Sequence, residues 1–167
     1  MVVQKAAPSV DDVNGAPMVA HVLILEARFY QGIADMLADG AEAVCAARGV
    51  TTERIAVPGA LELPQVLAAA ASAREAGFKA FDGVIALGCV IRGETAHYDI
   101  VCNNANHWLM DVAMREDIPV GNGILTVETE AQAIARAEGG PAGKGGDAAR
   151  ACLRLIELQR DFWGVPA

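Results

Sequence analysis

The chain has 167 residues and a net charge of −8, with 53% hydrophobic and only 5% aromatic residues. This length fits one domain with a sizeable core, and the acidic balance argues against nucleic acid or an anionic membrane surface as a partner. No apolar run approaches the roughly 20 residues of a membrane span, and residues 1–17 lack the apolar stretch of a signal peptide, so we expect no membrane partner and a cytoplasmic location.

In chain order, the sequence indicates a polar arm followed by one domain. Residues 1–17 predict a flexible N-terminal arm, and residues 18–163 predict a single α/β domain. Apolar runs at residues 18–25, 55–57, 83–91 and 119–126 predict four strands. Helices are predicted where apolar residues recur at helical spacing: residues 33–44, residues 62–76, a stripe at Val101, Ala105, Trp108, Leu109 and Val112, residues 129–137, and a face with Ala148, Ala151, Cys152, Leu155 and Ile156. Strands that alternate with helices indicate a parallel sheet with helices on both faces, a three-layer α/β/α sandwich.

The loops after the first three strands are the candidate binding loops, because ligands of such sheets gather beyond the carboxyl ends of the strands. The first loop, residues 26–30, contains Phe29 and Tyr30. In a chain poor in aromatic residues, an exposed ring there suits stacking on a flat heterocycle. The alternative is a ring that covers a helix end, and both residues fit either role.

The second loop, residues 58–62, combines a rigid turn with a carboxylate. Pro58 and Gly59 predict a tight turn that brings backbone amides close to whatever lies above the sheet. Glu62 suits hydrogen bonds from the hydroxyls of a polyol. The alternative is that Glu62 stabilises the dipole of the helix in whose first turn it lies.

The third loop, residues 90–97, follows a buried strand and precedes a helix. Its order predicts a glycine-flanked turn and a helix start with Thr95 and His97 in the first turn. The start of a helix suits an anion such as phosphate, and the amides of Glu94 and Thr95 are the predicted donors. His97 beside that anion is suited to move protons near neutral pH, the alternative being a surface or capping histidine.

The glycine-rich residues 139–146 resemble a P-loop only in part. A P-loop would need glycine at position 138 and serine or threonine at position 145, where this chain has Glu138 and Gly145. A nucleoside-triphosphate site is therefore not expected. Lys144, with Arg136 eight positions earlier, suits contact with a phosphate or is simply a solvated basic pair.

No pattern for a metal ion or a nicotinamide cofactor is present in the sequence. It has no H-E-x-x-H motif, no Cys/His cluster, no acidic calcium loop and no glycine-triplet fingerprint after the first strand. The four cysteines, Cys45, Cys89, Cys102 and Cys152, lie far apart in apolar surroundings and predict small core residues in a reducing compartment. We therefore expect no cofactor and no metal.

Several motifs in order resemble the lumazine synthase family, which catalyses the penultimate step of riboflavin biosynthesis. The resemblance covers residues 19–158, and its motifs are ARF at 27–29, VPGALE at 57–62, LGCVIRGETAHYD at 87–99, GILT at 123–126 and KG at 144–145. It implies a flavodoxin-like strand order of 2-1-3-4. It also implies condensation of 5-amino-6-(D-ribitylamino)uracil with (S)-3,4-dihydroxy-2-butanone 4-phosphate to 6,7-dimethyl-8-ribityllumazine, phosphate and water.

The resemblance also assigns roles to individual residues. For the ribitylaminouracil it implies stacking by Phe29, contacts to the ribityl chain by Ala60, Leu61 and Glu62, contacts to the ring edge by backbone groups of Cys89, Val90 and Ile91, and a further contact by Asn122. For the butanone phosphate it implies the amides of Glu94 and Thr95 with Arg136 and Lys144, Asp147 as an orienting group, and His97 as the catalytic proton carrier. The sequence departs from the commoner pattern at four positions: Cys89 replaces threonine, Asn122 an aromatic residue, Glu138 a glycine and Gly143 an asparagine.

The resemblance further implies a homo-oligomer, a pentamer whose sites lie between neighbouring subunits, with a 60-subunit shell of twelve pentamers as a further assembly. Asn122 and Arg136 would then face His97 of the adjacent subunit. Three alternatives stay open from the sequence: a carrier of lumazine or flavin that uses the same pocket, a purely structural shell protein, and another phosphosugar enzyme on a similar sheet. A carrier of a flat ring needs neither His97 nor Arg136, which favours the enzyme.

Overall fold

Apolar runs pair into a four-stranded parallel sheet in the computed structural model, which describes residues 15–165. The strands are β1 (His21–Ala27), β2 (Thr51–Val57), β3 (Gly83–Ile91) and β4 (Val120–Val127). Their order is β2-β1-β3-β4, with every pair parallel. The predicted order 2-1-3-4 is confirmed. The predicted arm lies outside the described residues, apart from its last three.

Five helices cover the two faces of the sheet, as the prediction of a three-layer sandwich requires. They are α1 (Gln31–Ala47), α2 (Leu63–Glu75), α3 (His97–Arg115), α4 (Glu130–Ala137) and α5 (Lys144–Trp163), with short 3-10 turns at Ala60–Glu62 and Gly140–Ala142. Helices α1, α4 and α5 pack on one face, and α2 and α3 pack on the other. No helix of residues 15–165 is long and apolar enough to cross a bilayer.

Side chains of β1 alternate between two cores. Val22 and Ile24 belong to the core beneath α1 and α5, whereas Leu23 and Leu25 belong to the core beneath α2 and α3. Because both faces of a parallel sheet are covered by helices, the strand needs apolar residues at every position. This explains why the sequence shows unbroken apolar runs.

Glycines let α5 approach its neighbours closely. A Cβ atom on Gly121 of β4 would collide with the carbonyl oxygen of Ala148, and one on Gly145 would collide with the carbonyl oxygen of Leu37. Gly145 lies in the first turn of α5 and is buried. Gly145, one of the glycines that resemble a P-loop, therefore serves helix packing in this fold.

Strand pairing corrects two predicted boundaries. β1 begins at His21 and extends through Glu26 and Ala27, which the sequence had indicated as a loop, because Glu26 pairs with both Ala56 and Leu87. β2 begins at Thr51 and not at residue 55, because its polar amino end follows β1 in register from His21 onwards. Polar residues at a sheet edge carry no apolar signal, so the pattern missed them.

Two helix faces also differ from the prediction. On α3, Val101, Ala105 and Leu109 are buried as expected, but Trp108 is 49% exposed. The last helix begins at Lys144, so the last three residues of the predicted glycine-rich loop belong to it. Its buried face contains Ala148, Cys152 and Ile156 as predicted, together with Ala149 and Leu153, while Ala151 and Leu155 point to solvent.

Candidate active site

The carboxyl ends of β1, β2 and β3 meet at one cavity of about 380 Å³. The three predicted binding loops form its walls. The lining residues are Phe29, Tyr30, Pro58, Gly59, Ala60, Leu61, Glu62, Cys89, Val90, Ile91, Gly93, Thr95, His97, Tyr98 and Val101. The structure thus brings nine of the predicted site residues together: Phe29, Ala60, Leu61, Glu62, Cys89, Val90, Ile91, Thr95 and His97.

The aromatic pair at the end of β1 divides into one exposed and one packed ring. Phe29 is 74% exposed, whereas Tyr30 is partly buried against the core and stands immediately before α1. The two rings meet edge to face, with centroids 5.0 Å apart and an interplanar angle of 73°. Burial, with the nearby Cys89 and Glu130, raises the pKa of the Tyr30 hydroxyl. Phe29 is therefore the ring available for stacking on a flat ligand.

The turn after β2 holds a carboxylate at the cavity. Gly59 is fully extended, and the Glu62 N–H donates to its carbonyl oxygen at 3.2 Å, which closes the 3-10 turn Ala60–Glu62. The side chain of Glu62 folds back over this turn, because its Oε2 lies 3.2 Å from the Cβ position of Gly59. Glu62 precedes α2 and lines the cavity, so both predicted roles stay compatible with its position.

The loop after β3 presents unpaired donors beside a histidine. α3 begins at His97, so Thr95 precedes the helix and does not lie in its first turn as predicted. The His97 N–H donates to Thr95 Oγ1 at 3.3 Å. Within the part of the chain that the structure describes, the N–H groups of Glu94 and Thr95 meet no protein acceptor. Exposed amides of this kind at the start of a helix suit an anion.

The end of β3 forms the floor of the cavity. Val90 and Ile91 are half-buried, and Cys89 is 9% exposed. Burial raises the pKa of the Cys89 thiol to about 11, so the group is a neutral thiol at physiological pH. A protonated, inward-facing thiol is a poor nucleophile. The contribution of this segment is its backbone and its shape.

Sequence comparisons identify the family. A sequence model of the 6,7-dimethyl-8-ribityllumazine synthase family matches residues 19–160. The chain is 48% identical over 149 residues to a 6,7-dimethyl-8-ribityllumazine synthase of Nitrobacter hamburgensis, with 89% of each chain covered. It is 51% identical over 141 residues to one of Rhodopseudomonas palustris, with 84% of this chain and 86% of the relative covered. The chain belongs to this family, whose enzymes act in riboflavin biosynthesis.

Asn122, where the lumazine synthase resemblance placed a substrate contact, does not line the cavity. It is exposed on β4, and its amide is held within the chain. Its Nδ2 donates to Asn106 Oδ1 at 2.7 Å, and its Oδ1 accepts the Ile124 N–H at 2.9 Å.

The predicted basic residues also lie outside the cavity. Arg136 is exposed on α4 and donates to the Gln132 carbonyl at 3.0 Å, and no carboxylate of residues 15–165 forms an ion pair with it. Lys144, the first residue of α5, lies 3.6 Å from Asp147 Oδ2, as expected if Asp147 orients it. Glu94 is exposed and does not line the cavity either. One chain therefore brings Phe29 and His97 to the cavity but not Arg136.

Tyr98 is a cavity residue that sequence reasoning missed. The guanidinium of Arg92 lies 4.2 Å from the centroid of its ring. Arg92 Nε also lies 2.9 Å from Glu128 Oε2 and its Nη2 lies 3.5 Å from Asp99 Oδ1. Arg92 is thus occupied by two carboxylates and a ring, although it lies in the loop predicted to bind an anion, two residues before Glu94. The available signal was the scarcity of tyrosine, with two in the chain.

The ionisable groups of the described residues form no cluster of three or more histidine, cysteine, aspartate or glutamate side chains that could hold a metal ion. The four cysteines are free, and Cys45 and Cys152 are buried in the core beneath α1 and α5, where burial raises the pKa of both thiols. Their chemistry is that of small core residues.

Proposed function

We propose that the protein condenses 5-amino-6-(D-ribitylamino)uracil with (S)-3,4-dihydroxy-2-butanone 4-phosphate to give 6,7-dimethyl-8-ribityllumazine, phosphate and water. This is the penultimate step of riboflavin biosynthesis. The observation that supports it is that one cavity is lined by an exposed aromatic ring, a turn that carries a carboxylate and a loop that carries a histidine. The family membership points to the same reaction. We further propose that the reaction is a C–N bond-forming transfer without metal or redox cofactor.

The cavity holds the pyrimidine in this proposal. Phe29 stacks on the heterocycle, and the backbone of Cys89, Val90 and Ile91 contacts its edge. The turn at Ala60, Leu61 and Glu62 receives the ribityl chain, whose hydroxyls donate to the Glu62 carboxylate. The apolar walls exclude water around the reacting amine, and the polar end orients the substrate.

The second substrate docks its phosphate against the free N–H groups of Glu94 and Thr95. The amine then attacks the ketone and one water leaves to form an imine, the imine loses phosphate by elimination, and ring closure releases a second water. His97 follows Thr95 by two residues and carries protons between the reacting atoms. Holding two reactants in one cavity supplies most of the acceleration.

A neighbouring subunit completes the site in our proposal. Asn122, Arg136 and Lys144 are exposed and lie outside the cavity of their own chain. An arginine without a carboxylate partner in the described chain is suited to an anion bound elsewhere. We therefore propose a pentamer with sites between subunits, and twelve pentamers in a shell as a further assembly to be tested by sedimentation. A cytoplasmic location stays a prediction.

The reaction is tested by mixing purified protein with the two named substrates and recording the absorbance of 6,7-dimethyl-8-ribityllumazine. Product formation with release of one phosphate per turnover supports the proposal. Binding of the product without turnover would indicate a carrier, and neither binding nor turnover would indicate a shell protein or another enzyme. Each of these two outcomes refutes the proposed reaction.

The shared site is tested by complementation. The variants Arg136→Ala and His97→Ala each remove one half of every site. Subunits of both variants, co-expressed in one cell, assemble some interfaces that contain both wild-type residues. Activity above that of either variant alone supports a site between subunits. Activity no higher than the mean of the two variants refutes it, because it would show that both residues act within one chain.

A further inference from the structure

Among the residues that the structure describes, Glu26 is the one polar or charged residue that is buried, with 3% exposure. It is the penultimate residue of β1, at the carboxyl ends of the strands, where the cavity opens. It follows Val22 and Ile24 on the face covered by α1. A carboxylate at such a place is costly unless it is paired and hydrogen-bonded.

Two arginines pair with this carboxylate. Arg54 of β2 donates from Nε to Oε2 and from Nη2 to Oε1, both at 2.7 Å. Arg28 donates from Nη1 to Oε1 at 2.8 Å. Burial alone would raise the pKa of Glu26, but the hydrogen bonds and charges of Arg54 and Arg28 outweigh it and lower that pKa. Glu26 is therefore ionised at neutral pH.

The same arginines extend the contacts to α1. Arg28 Nη2 donates to Asp35 Oδ1 at 2.8 Å, and Arg54 Nη1 donates to Glu42 Oε2 at 3.2 Å. The backbone N–H of Arg28 donates to the Val57 carbonyl at 3.0 Å. Through Arg28 and Arg54, one buried carboxylate thus links β1, β2 and α1. Arg28 directly precedes Phe29.

We propose that Glu26 is a positioning residue that, through Arg28 and Arg54, holds the Phe29 ring over the cavity. This inference rests on the proposed function, since it concerns the ring that stacks on the pyrimidine. Phe29 is 74% exposed and contacts Tyr30 through one edge, so its own packing does little to fix it. The backbone that carries it is fixed by the arginine network, which orders the ring before the substrate arrives.

Two variants and one control test this role. Glu26→Gln removes the charge and keeps the shape. The double variant Glu26→Met with Arg54→Met removes the buried carboxylate together with its exposed arginine partner, so that Arg54 is not left without its carboxylate. The control is Lys79→Met, which breaks the 2.6 Å ion pair with Glu53 at the opposite end of β2, away from the cavity.

The Michaelis constant is expected to rise for the ribitylaminouracil and to stay nearly unchanged for the butanone phosphate. In both Glu26 variants the KM for the ribitylaminouracil rises about 10-fold to 100-fold, the cost of a displacement of about 1 Å. The KM for the butanone phosphate changes by less than about twofold, because none of the side-chain hydrogen bonds of Glu26, Arg28 and Arg54 reaches the loop at residues 90–97, where the phosphate is proposed to bind. Lys79→Met leaves both constants unchanged. Thermal unfolding of each variant reports its stability separately.

Hydrogen exchange provides a readout that does not depend on activity. In the substrate-free protein, the peptide covering residues 26–33 exchanges faster in both Glu26 variants than in the wild type or Lys79→Met. If the double variant keeps the wild-type exchange and KM, Glu26 does not position Phe29 and the inference is overturned. If the wild type forms no product but the exchange difference is present, the proposed reaction fails while the loop-holding role stands.

Discussion

Replacing Phe29 with alanine is expected to weaken binding of the pyrimidine substrate and to leave the fold intact. The ring is 74% exposed, and its aromatic contact is the edge of Tyr30 at 5.0 Å. Its removal opens no cavity in the core, and loss of the edge contact lowers the free energy of unfolding by at most about 1.5 kcal/mol. The cost of the substitution therefore falls on the ligand.

The size of that cost follows from the chemistry of stacking. An aromatic side chain stacked on a nucleobase contributes about 1–3 kcal/mol to binding, and each 1.36 kcal/mol corresponds to roughly tenfold. The KM for the ribitylaminouracil should therefore rise between about 5-fold and about 150-fold. Phe29→Trp keeps a flat ring and should retain most of the affinity.

The assay measures initial rates of product absorbance against pyrimidine concentration at saturating butanone phosphate. Phe78→Ala is the matched control, because Phe78 is 88% exposed and lies between α2 and β3, at the amino ends of the strands and away from the cavity. It should leave both constants unchanged. A wild-type KM in Phe29→Ala, or an equal rise in Phe78→Ala, would show that the ring at position 29 does not stack on the substrate.

Four further outcomes are expected. His97→Ala lowers kcat by about 10²-fold to 10⁴-fold without abolishing it and leaves both KM values nearly unchanged, since positioning of the reactants persists; single-turnover kinetics checks this, and a wild-type kcat would contradict it. Cys89→Thr keeps kcat and both KM values within about twofold, because a threonine suits a strand and the proposed contact is through the backbone; a large loss in steady-state rates would point to a role for the thiol. Arg92→Met releases the ring of Tyr98 and raises the KM for the butanone phosphate. Arg92→Lys lowers that KM only part of the way back to the wild-type value, since an ammonium cannot reproduce the planar contacts of a guanidinium. Equal KM values in the wild type and both variants would show that Arg92 does not position Tyr98 for the substrate. Because the pKa of folded Glu26 is lowered, its stabilisation is complete above the ordinary value of 4.5 and is lost as the pH falls through the folded value, so urea unfolding should show a steeper acid loss in the wild type than in Glu26→Gln.

The strands could be predicted wherever both of their faces are covered. Residues 83–91 form an unbroken apolar run, and β3 occupies the same residues, Gly83–Ile91. The edge strand β2 is different, because its amino end carries Thr51, Thr52 and Glu53 and is paired on one side only. Pairing with β1, and not hydrophobicity, extends it there.

The helix faces were predictable only approximately. Apolar spacing locates α5, but it does not decide whether the helix turns the side with Leu153 or the side with Leu155 towards the sheet. Leu153 turns inward and Leu155 outward because Gly121 and Gly145 allow α5 to settle at one rotation against β4 and α1. That choice depends on contacts between residues distant in sequence.

The sequence by itself determined the alternation of strands and helices and the three loops that meet at the cavity, because local apolar periodicity and the geometry of parallel sheets require both. Only the tertiary structure decided that Glu26 is buried with two arginines and that Asn122 and Arg136 lie away from the cavity of their own chain. The physical reason is that ion pairs and shared cavities depend on which residues the fold brings together, and sequence spacing carries no record of that.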